Sequence, residues 1–99
     1  MEILFRCVGF GRTEYLDAYV IRSVERATEN ASGALRVHVR LSDVNGPKGG
    51  LDKVCKIRTT GPLRTTVEAR DADGYAAIAG ACDRLRRSAR RWIERRTRG

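Results

Sequence analysis

The sequence has few of the residues on which extracellular, zinc-binding and membrane-spanning proteins depend. Its three cysteines, Cys7, Cys55 and Cys82, are odd in number and far apart. That spacing fits neither a disulfide framework nor the close pairs of a zinc site, so we expect reduced, mostly buried thiols and no metal or other cofactor. No apolar run approaches the ~20 residues of a membrane span, and the first residues do not resemble a secretory signal. We therefore expect a cytoplasmic protein with no membrane partner.

Candidate catalytic residues are equally scarce. His38 is the only histidine, and no Ser, Asp or Cys is placed by sequence to form a triad with it, so we interpret it as a solvent-facing strand residue. The glycines around a lysine at 46–50 match neither the P-loop nor the dinucleotide fingerprint. Asp71 and Asp73 are explained by helix capping. We predict no catalytic residue and no small-molecule substrate. An enzyme would need a cleft in which His38 meets carboxylates.

Positive charge, in contrast, is abundant. The 99 residues contain 20 Lys and Arg against 12 Asp and Glu, which gives a formal net charge of +8. A field of this sign attracts polyanions. Seventeen of the basic residues are arginine, whose planar guanidinium binds phosphate bidentately and stacks on bases. This preference suits RNA, although a GC-rich genome would produce it equally well.

Hydrophobic periodicity predicts one domain spanning residues 1–99, because a chain of this length can bury only one modest core. Two-residue alternation marks strands, and intervals of three and four mark amphipathic helices. The predicted strands are 2–8, 34–43, 51–60 and 63–70. The first predicted helix is 14–29, and the second is capped by Asp71 or Asp73 and runs to about residue 96. The result is an α+β domain of order β-α-β-β-β-α, with a four-stranded, mainly antiparallel sheet and two helices on one face.

The strongest functional signal is the end of the second helix, residues 84–98, which contains eight arginines and one glutamate. At ~100° per residue, apolar side chains such as Leu85 and Trp92 occupy one side of this helix. The opposite side forms what we term the α2 arginine face, which consists of Arg84, Arg86, Arg87, Arg90, Arg91 and Arg95. On a helix face that is only solvated, basic residues usually have acidic residues four positions away. Here Glu94 is the only nearby acid that we expect to balance the arginines. The pattern favours a polyanion site. Membrane-surface binding is disfavoured because the sheet should cover the apolar side.

Two other basic groups are weaker signals. Arg22 and Arg26 share a face of the first helix beside its buried stripe, but Glu25 and Glu29 lie close by. Basic residues on the outward face of the sheet often serve only solubility, and without aromatic residues that face does not resemble a base-stacking platform. The outward-facing basic residues are Arg36, Arg40, Lys56, Arg58, Arg64 and Arg70.

Two stretches carry a resemblance to a known family: LSDVNGPKGGLDKVCKI at 41–57 and VEARDADGYAAIAGACDRLRRSARR at 67–91. Together with the element order, they resemble the short form of the ribosome hibernation-promoting factor and ribosome-associated inhibitor family, over essentially the whole chain. The specific features are the Gly-Gly-x-Asp-Lys segment at 49–53 followed by Cys55, and the Asp-rich cap, Tyr-Ala-Ala-Ile segment and basic end of the second helix.

This resemblance implies a domain shaped like a double-stranded-RNA-binding domain, which binds the rRNA of the small ribosomal subunit between head and body. There it would block the tRNA and mRNA sites of idle ribosomes, a role in translation regulation and the stress response. The second, dimerising domain of long-form relatives is not expected in residues 1–99. The RNA contacts implied by position are Arg22, Arg26, Lys53, Arg84, Arg87, Arg90 and Arg91. A general double-stranded RNA or DNA binder stays open as the alternative.

Overall fold

A computed structural model describes residues 1–9, 11–31, 34–44 and 52–98 of the chain. Its six elements confirm the predicted order β-α-β-β-β-α. They are β1 (Glu2–Val8), α1 (Glu14–Ala27), β2 (Arg36–Asp43), β3 (Lys53–Thr60), β4 (Thr65–Asp71) and α2 (Gly74–Arg98). The predicted bounds are off by two residues at several ends, as is usual where terminal turns and strand ends fray.

The four strands form one mixed sheet in the order β1-β2-β3-β4. β1 pairs with β2 in parallel, because α1 lies between them as a crossover connection, whereas the β2–β3 and β3–β4 pairs are antiparallel. Both helices pack on one face of this sheet, with α1 against α2 and α2 over β3 and β4. The predicted architecture is therefore confirmed.

The core lies between the helices and the inward face of the sheet. The alternation predicted for the strands is confirmed. Val37, Leu41 and Ile57 are fully buried, while Arg36 and Arg40, which precede Val37 and Leu41, are exposed. The largest fully buried side chains contributed by the helices are Val20, Val24, Ile78 and Leu85. Removing this apolar surface from water is the main stabilising contribution to the fold.

Capping side chains define the first residue of each helix. The Thr13 hydroxyl accepts a hydrogen bond from the Leu16 amide at 3.1 Å and is the N-cap of α1. At α2, Asp73 accepts from the Ala76 amide at 3.2 Å, while Asp71 accepts from the Asp73 amide at 3.0 Å. Of the two alternatives left open by the sequence, Asp73 is therefore the cap of α2, and Asp71 orders the turn before it.

The β3–β4 turn depends on a glycine and on a buried hydroxyl. Gly61 has φ +113°, and a Cβ at this position would lie 2.5 Å from the Ala34 carbonyl oxygen, so only glycine fits without strain. The buried Thr59 hydroxyl donates to the Leu63 carbonyl oxygen at 2.9 Å and accepts from the Thr65 amide at 3.1 Å. These two bonds satisfy the only polar group of Thr59's side chain while they close the turn.

The last turns of α2 extend beyond the sheet. A helix of 25 residues is ~37 Å long, whereas an eight-residue strand spans ~27 Å. Burial falls along the helix accordingly: Leu85 and Ala89 are buried, but Trp92 and Ile93 are only partly buried. The Arg96 guanidinium carbon lies 4.8 Å from the centroid of the Trp92 ring. Trp92 therefore marks the boundary between the packed and the overhanging parts of α2.

The cysteines are all free thiols. Cys55 and Cys82 are buried, as predicted, and burial raises the pKa of Cys55 to about 12 and that of Cys82 to about 11. Cys7 is only partly buried, and its pKa is raised mainly by desolvation. Neither described helix is long and apolar enough to cross a lipid bilayer.

Candidate nucleic-acid interface

Five of the six residues of the α2 arginine face line two grooves, one on the β4 side of the helix and one on the α1 side. On the β4 side, a groove of about 790 Å³ runs between α2 and the start of β4. Its lining residues are Thr65, Thr66, Val67, Glu68, Arg84, Arg87, Ser88, Arg90 and Arg91. Because α2 lies over β4, the arginines on this edge are held above a strand that offers hydroxyls and backbone groups. Four of the predicted contact residues thus meet in one groove.

The second groove lies between the ends of α1 and α2 and has a volume of about 580 Å³. Arg26 of α1 lines it together with Arg86 and Arg90 of α2, and Glu29 and Glu94 stand at its walls. The structure therefore brings Arg26 beside the α2 arginine face, and Arg90 borders both grooves.

Arg22, one turn earlier on α1, is exposed but lines neither groove. Of the two arginines predicted on α1, only Arg26 thus shares a groove with α2.

An acid just before the arginine-rich segment balances part of its charge. Asp83 Oδ1 lies 2.8 Å from Arg86, and Asp83 Oδ2 lies 2.6 Å from Arg87. The prediction that Glu94 is the only nearby acid is therefore wrong. Asp83 precedes Arg86 by three residues and Arg87 by four, and these two spacings bring side chains together on one helix face. With side-chain exposures of 60% for Arg86 and 66% for Arg87, such surface pairs contribute only ~0–1 kcal/mol. A phosphate would compete readily for these guanidinium groups.

The remaining arginines of the β4-side groove differ in how they are held. Arg84 donates a hydrogen bond to the Glu68 carbonyl oxygen, which ties α2 to β4. Arg90 and Arg91 are exposed, and within the described part of the chain neither forms an ion pair. The guanidinium groups of Arg90 and Arg91 therefore face water with no competing acid among the described residues.

Lys53 occupies a different environment from the arginines. Its Nζ lies 3.1 Å from Asp52 Oδ1 and 3.2 Å from Asp43 Oδ2, and its side chain is 21% exposed. The carboxylate of Asp52, followed by that of Asp43, raises the pKa of Lys53 above its ordinary value. The role of Lys53 as an RNA contact stays a prediction. The positive charge of its ammonium group is already balanced by the carboxylates of Asp43 and Asp52. The neighbouring glycines at 46–50 lie outside the described residues.

His38 lies on the outward face of the sheet and is partly buried. In the strand register it stands between Leu4 of β1 and Arg58 of β3. The described residues that line the depression around it include no carboxylate. No group of His, Cys, Asp and Glu among the described residues has the arrangement of a metal site.

Two arginines that the sequence reasoning did not assign have clear positions. Arg12 donates to the Phe5 carbonyl oxygen at 2.9 Å and to Asp17 at 2.7 Å, so it serves the fold. Arg6 is exposed on the outward face of β1. The alternation of β1 was sufficient to predict this position, because Phe5 and Cys7 on either side of Arg6 face inward.

Comparison with known proteins identifies the family. A profile of the family described as sigma 54 modulation protein / S30EA ribosomal protein matches residues 3–97. The chain belongs to this family. Membership confirms the predicted relationship to the hibernation-promoting factor family, and it supports the ribosome as the partner of this chain.

Solved structures of this kind have the same fold. One is the crystal structure of the Thermus thermophilus Protein Y N-terminal domain, whose sequence is 29% identical to this chain. The match covers 91% of this chain and 98% of the Protein Y chain, with a TM-score of 0.74. A ribosomal subunit interface protein from Coxiella burnetii is 14% identical with a TM-score of 0.74, over 95% and 99% of the two chains, which shows the fold alone. No curated protein sequence gives a significant match.

Proposed function

We propose that this protein is a cytoplasmic ribosome hibernation factor that binds the rRNA of the small ribosomal subunit and occupies the tRNA and mRNA sites of idle ribosomes. It acts by filling a site and not by catalysing a reaction. Membership of the S30EA family and similarity to proteins named for the ribosomal subunit interface support this role.

The observation that carries the proposal is the concentration of arginine along the exposed side of the C-terminal part of α2. Residues 84–98 hold eight arginines and one glutamate, and only Arg86 and Arg87 are paired with an acid in the described part of the chain. Like charges at this density repel one another, and polyanion binding relieves that repulsion. Arginine pairs with phosphate through two parallel hydrogen bonds, which suits the RNA backbone.

Most of the proposed contact set lies in the two grooves. Arg84, Arg87, Arg90 and Arg91 contact RNA on the β4 side, Arg26 contacts it between the helices, and Arg22 extends the surface along α1. Lys53 is left out of the main set because its ammonium group is held by Asp43 and Asp52.

Sedimentation with purified ribosomal subunits tests this function. We expect the protein to travel with the small subunit, and its affinity to fall with salt by a log-log slope of several, because each phosphate contact contributes roughly 0.7–0.9. Binding that does not respond to salt would contradict an arginine-phosphate interface. Binding only to the large subunit would contradict the proposed location.

Competition separates hibernation from general RNA binding. Transfer RNA and a duplex RNA of arbitrary sequence are titrated against the complex with the small subunit, at equal nucleotide concentration. If the protein occupies the tRNA site, tRNA should displace it much more effectively than the duplex does. Equal displacement by both would favour a general double-stranded RNA binder.

A further inference from the structure

Three tyrosines meet at the end of the molecule where both helices begin. Because β1 and β4 run in the same direction across the sheet, α1 and α2 return over its face in parallel and start at the same end. The centroid of the Tyr75 ring lies 5.9 Å from that of Tyr15 and 5.1 Å from that of Tyr19, with interplanar angles of 62° and 73°. These are edge-to-face contacts. We term Tyr15, Tyr19 and Tyr75 the tyrosine cluster.

The tyrosine cluster is anchored on one side and open on the other. Tyr19 and Tyr75 are partly buried and pack against the core. Tyr15 is 73% exposed, more than any other large apolar side chain that the structure describes. Within the described part of the chain, none of the three hydroxyls forms a hydrogen bond. A supported ring with an open face and a free polar tip is typical of the tyrosines that dominate protein–protein binding.

Negative charge surrounds this cluster, in contrast to the excess of positive charge in the whole chain. Two cations lie within four residues of one of the tyrosines, and of these Arg12 pairs with Asp17 at 2.7 Å. Four acids lie within the same distance along the chain: Glu14, Asp17, Asp71 and Asp73. Glu14 and Asp73 are exposed and form no ion pair within the described residues. Such a surface repels phosphates and attracts basic groups.

The α2 arginine face is too far away to cancel this negative charge. Arg90 follows Tyr75 by 15 residues on the same helix, a distance of ~22 Å along its axis. Charges in solution are screened within ~8 Å at physiological ionic strength. The two ends of α2 therefore suit partners of opposite charge.

We propose that the tyrosine cluster, with Glu14 and Asp73 beside it, docks a protein segment rich in lysine and arginine. A cationic side chain of this segment lies over the open face of the Tyr15 ring, within ~6 Å of its centroid, and others pair with the two carboxylates. While RNA occupies the α2 arginine face, the basic segment belongs to a protein of the small subunit. This placement rests on the proposed function.

Charge reversal at the two ends of the molecule is the first test, because it distinguishes a basic partner from RNA by the sign of the effect. Small-subunit affinity is measured at physiological ionic strength for Glu14→Lys and for Glu94→Lys, the same change beside the α2 arginines. We expect Glu14→Lys to bind about 5–10-fold more weakly, since it opposes like charges, and Glu94→Lys to bind a few-fold more tightly. Glu14→Gln, which disturbs the start of α1 less, should lose about 2–3-fold. If Glu14→Lys binds more tightly or unchanged, the inference is overturned, and a gain at Glu94→Lys still supports the proposed function.

The ring of Tyr15 is tested separately from the charges. Tyr15→Ala should weaken small-subunit binding by about 10-fold, as expected for an aromatic anchor, while Tyr15→Phe, which keeps the ring, should stay within about 3-fold. Ile21→Ala is the matched control, because Ile21 is a large apolar residue of the same helix with 45% exposure, and it should stay within about 2-fold. Melting temperatures should stay near the wild-type value, since Tyr15 is mostly exposed. Wild-type affinity for Tyr15→Ala, or a loss of binding that parallels a loss of thermal stability, contradicts a docking role.

Photo-crosslinking identifies the partner. A photo-reactive phenylalanine analogue replaces Tyr15 and, in a separate protein, Ser88 in the β4-side groove, and each is irradiated with purified small subunits. We expect a protein adduct from Tyr15, which mass spectrometry maps to a lysine- and arginine-rich segment, and an RNA adduct from Ser88. If Tyr15 gives an RNA adduct, no adduct or a neutral or acidic segment, the inference fails while the RNA adduct at Ser88 upholds the proposed function. If Tyr15 reaches a basic protein segment and Ser88 gives no RNA adduct, the inference stands and the α2 assignment fails.

Discussion

The two halves of α2 differ in what surrounds them. In the first half, Ala77, Ile78 and Ala81 are buried, and a Cβ at Gly80 would lie 3.1 Å from that of Ala69, so small residues let the helix approach β4 closely. In the second half, Ala89 and Trp92 still pack against the core, Trp92 as the last large side chain to do so, while arginines occupy the exposed side. One helix therefore serves two physical purposes. Its first half fixes the orientation, and its second half presents positive charges of which the fold pairs only a few.

Truncating the packed half should have the largest effect. Ile78 is fully buried, so Ile78→Ala should lower the free energy of unfolding by about 2–5 kcal/mol, through lost apolar burial and a cavity. Denaturant unfolding measures the change, and Ala79→Ser at the neighbouring exposed position should stay within ~0.5 kcal/mol. A small effect at Ile78 would mean that this half of α2 is not part of the core.

Neutralising three arginines of the second half of α2 should act on binding and not on folding. Replacing Arg87, Arg90 and Arg91 together by Gln keeps helix propensity and removes three positive charges. We expect small-subunit affinity to fall by about 10–100-fold and the log-log salt slope to fall by ~2–3, with unfolding free energy changed by only ~0.5 kcal/mol. Unchanged affinity and slope in co-sedimentation would show that the α2 arginine face is only a solvated surface.

The boundary residue should show an intermediate effect on stability. A fully buried tryptophan would cost about 3–5 kcal/mol on truncation, but Trp92 is partly exposed, so Trp92→Ala should cost ~1–2 kcal/mol. Thermal unfolding checks this value. Because Trp92 carries no charge, the salt slope of ribosome binding should stay at the wild-type value. A cost as large as that of Ile78→Ala would place the end of the packed half beyond Trp92.

Removing the acid that pairs with Arg86 and Arg87 near the middle of α2 should have the smallest effect on stability and binding. Asp83→Asn removes the ion pairs to Arg86 and Arg87, both at exposed positions, so unfolding free energy should change by less than ~1 kcal/mol. Ribosome affinity should rise by a few-fold at low salt, because a local competitor of phosphate is gone. A fall in affinity would instead show that Asp83 orients these arginines for binding.

Local patterns account for most of the sequence predictions that were confirmed. Strand alternation placed Val37 and Leu41 inward, and helical periodicity separated Leu85 from the arginines beside it. The predictions that failed or stayed open depended on short-range details. The segment 84–98, in which the charges were compared, begins one residue after Asp83, so the acid that pairs with Arg86 and Arg87 was missed. Only the hydrogen bond from the Ala76 amide distinguished Asp73 from Asp71 as the cap of α2.

The sequence by itself determined the order of the elements, the buried stripe of each helix and the cationic side of α2, because these features follow from neighbours within a few residues along the chain. Only the tertiary structure decided that Arg26 joins the groove beside Arg86 and that Lys53 is held by Asp43 and Asp52. It likewise decided that Tyr15, Tyr19 and Tyr75 form one cluster. These arrangements join residues far apart in sequence, and strand register and helix packing, which are set by burial of the whole core, bring them together.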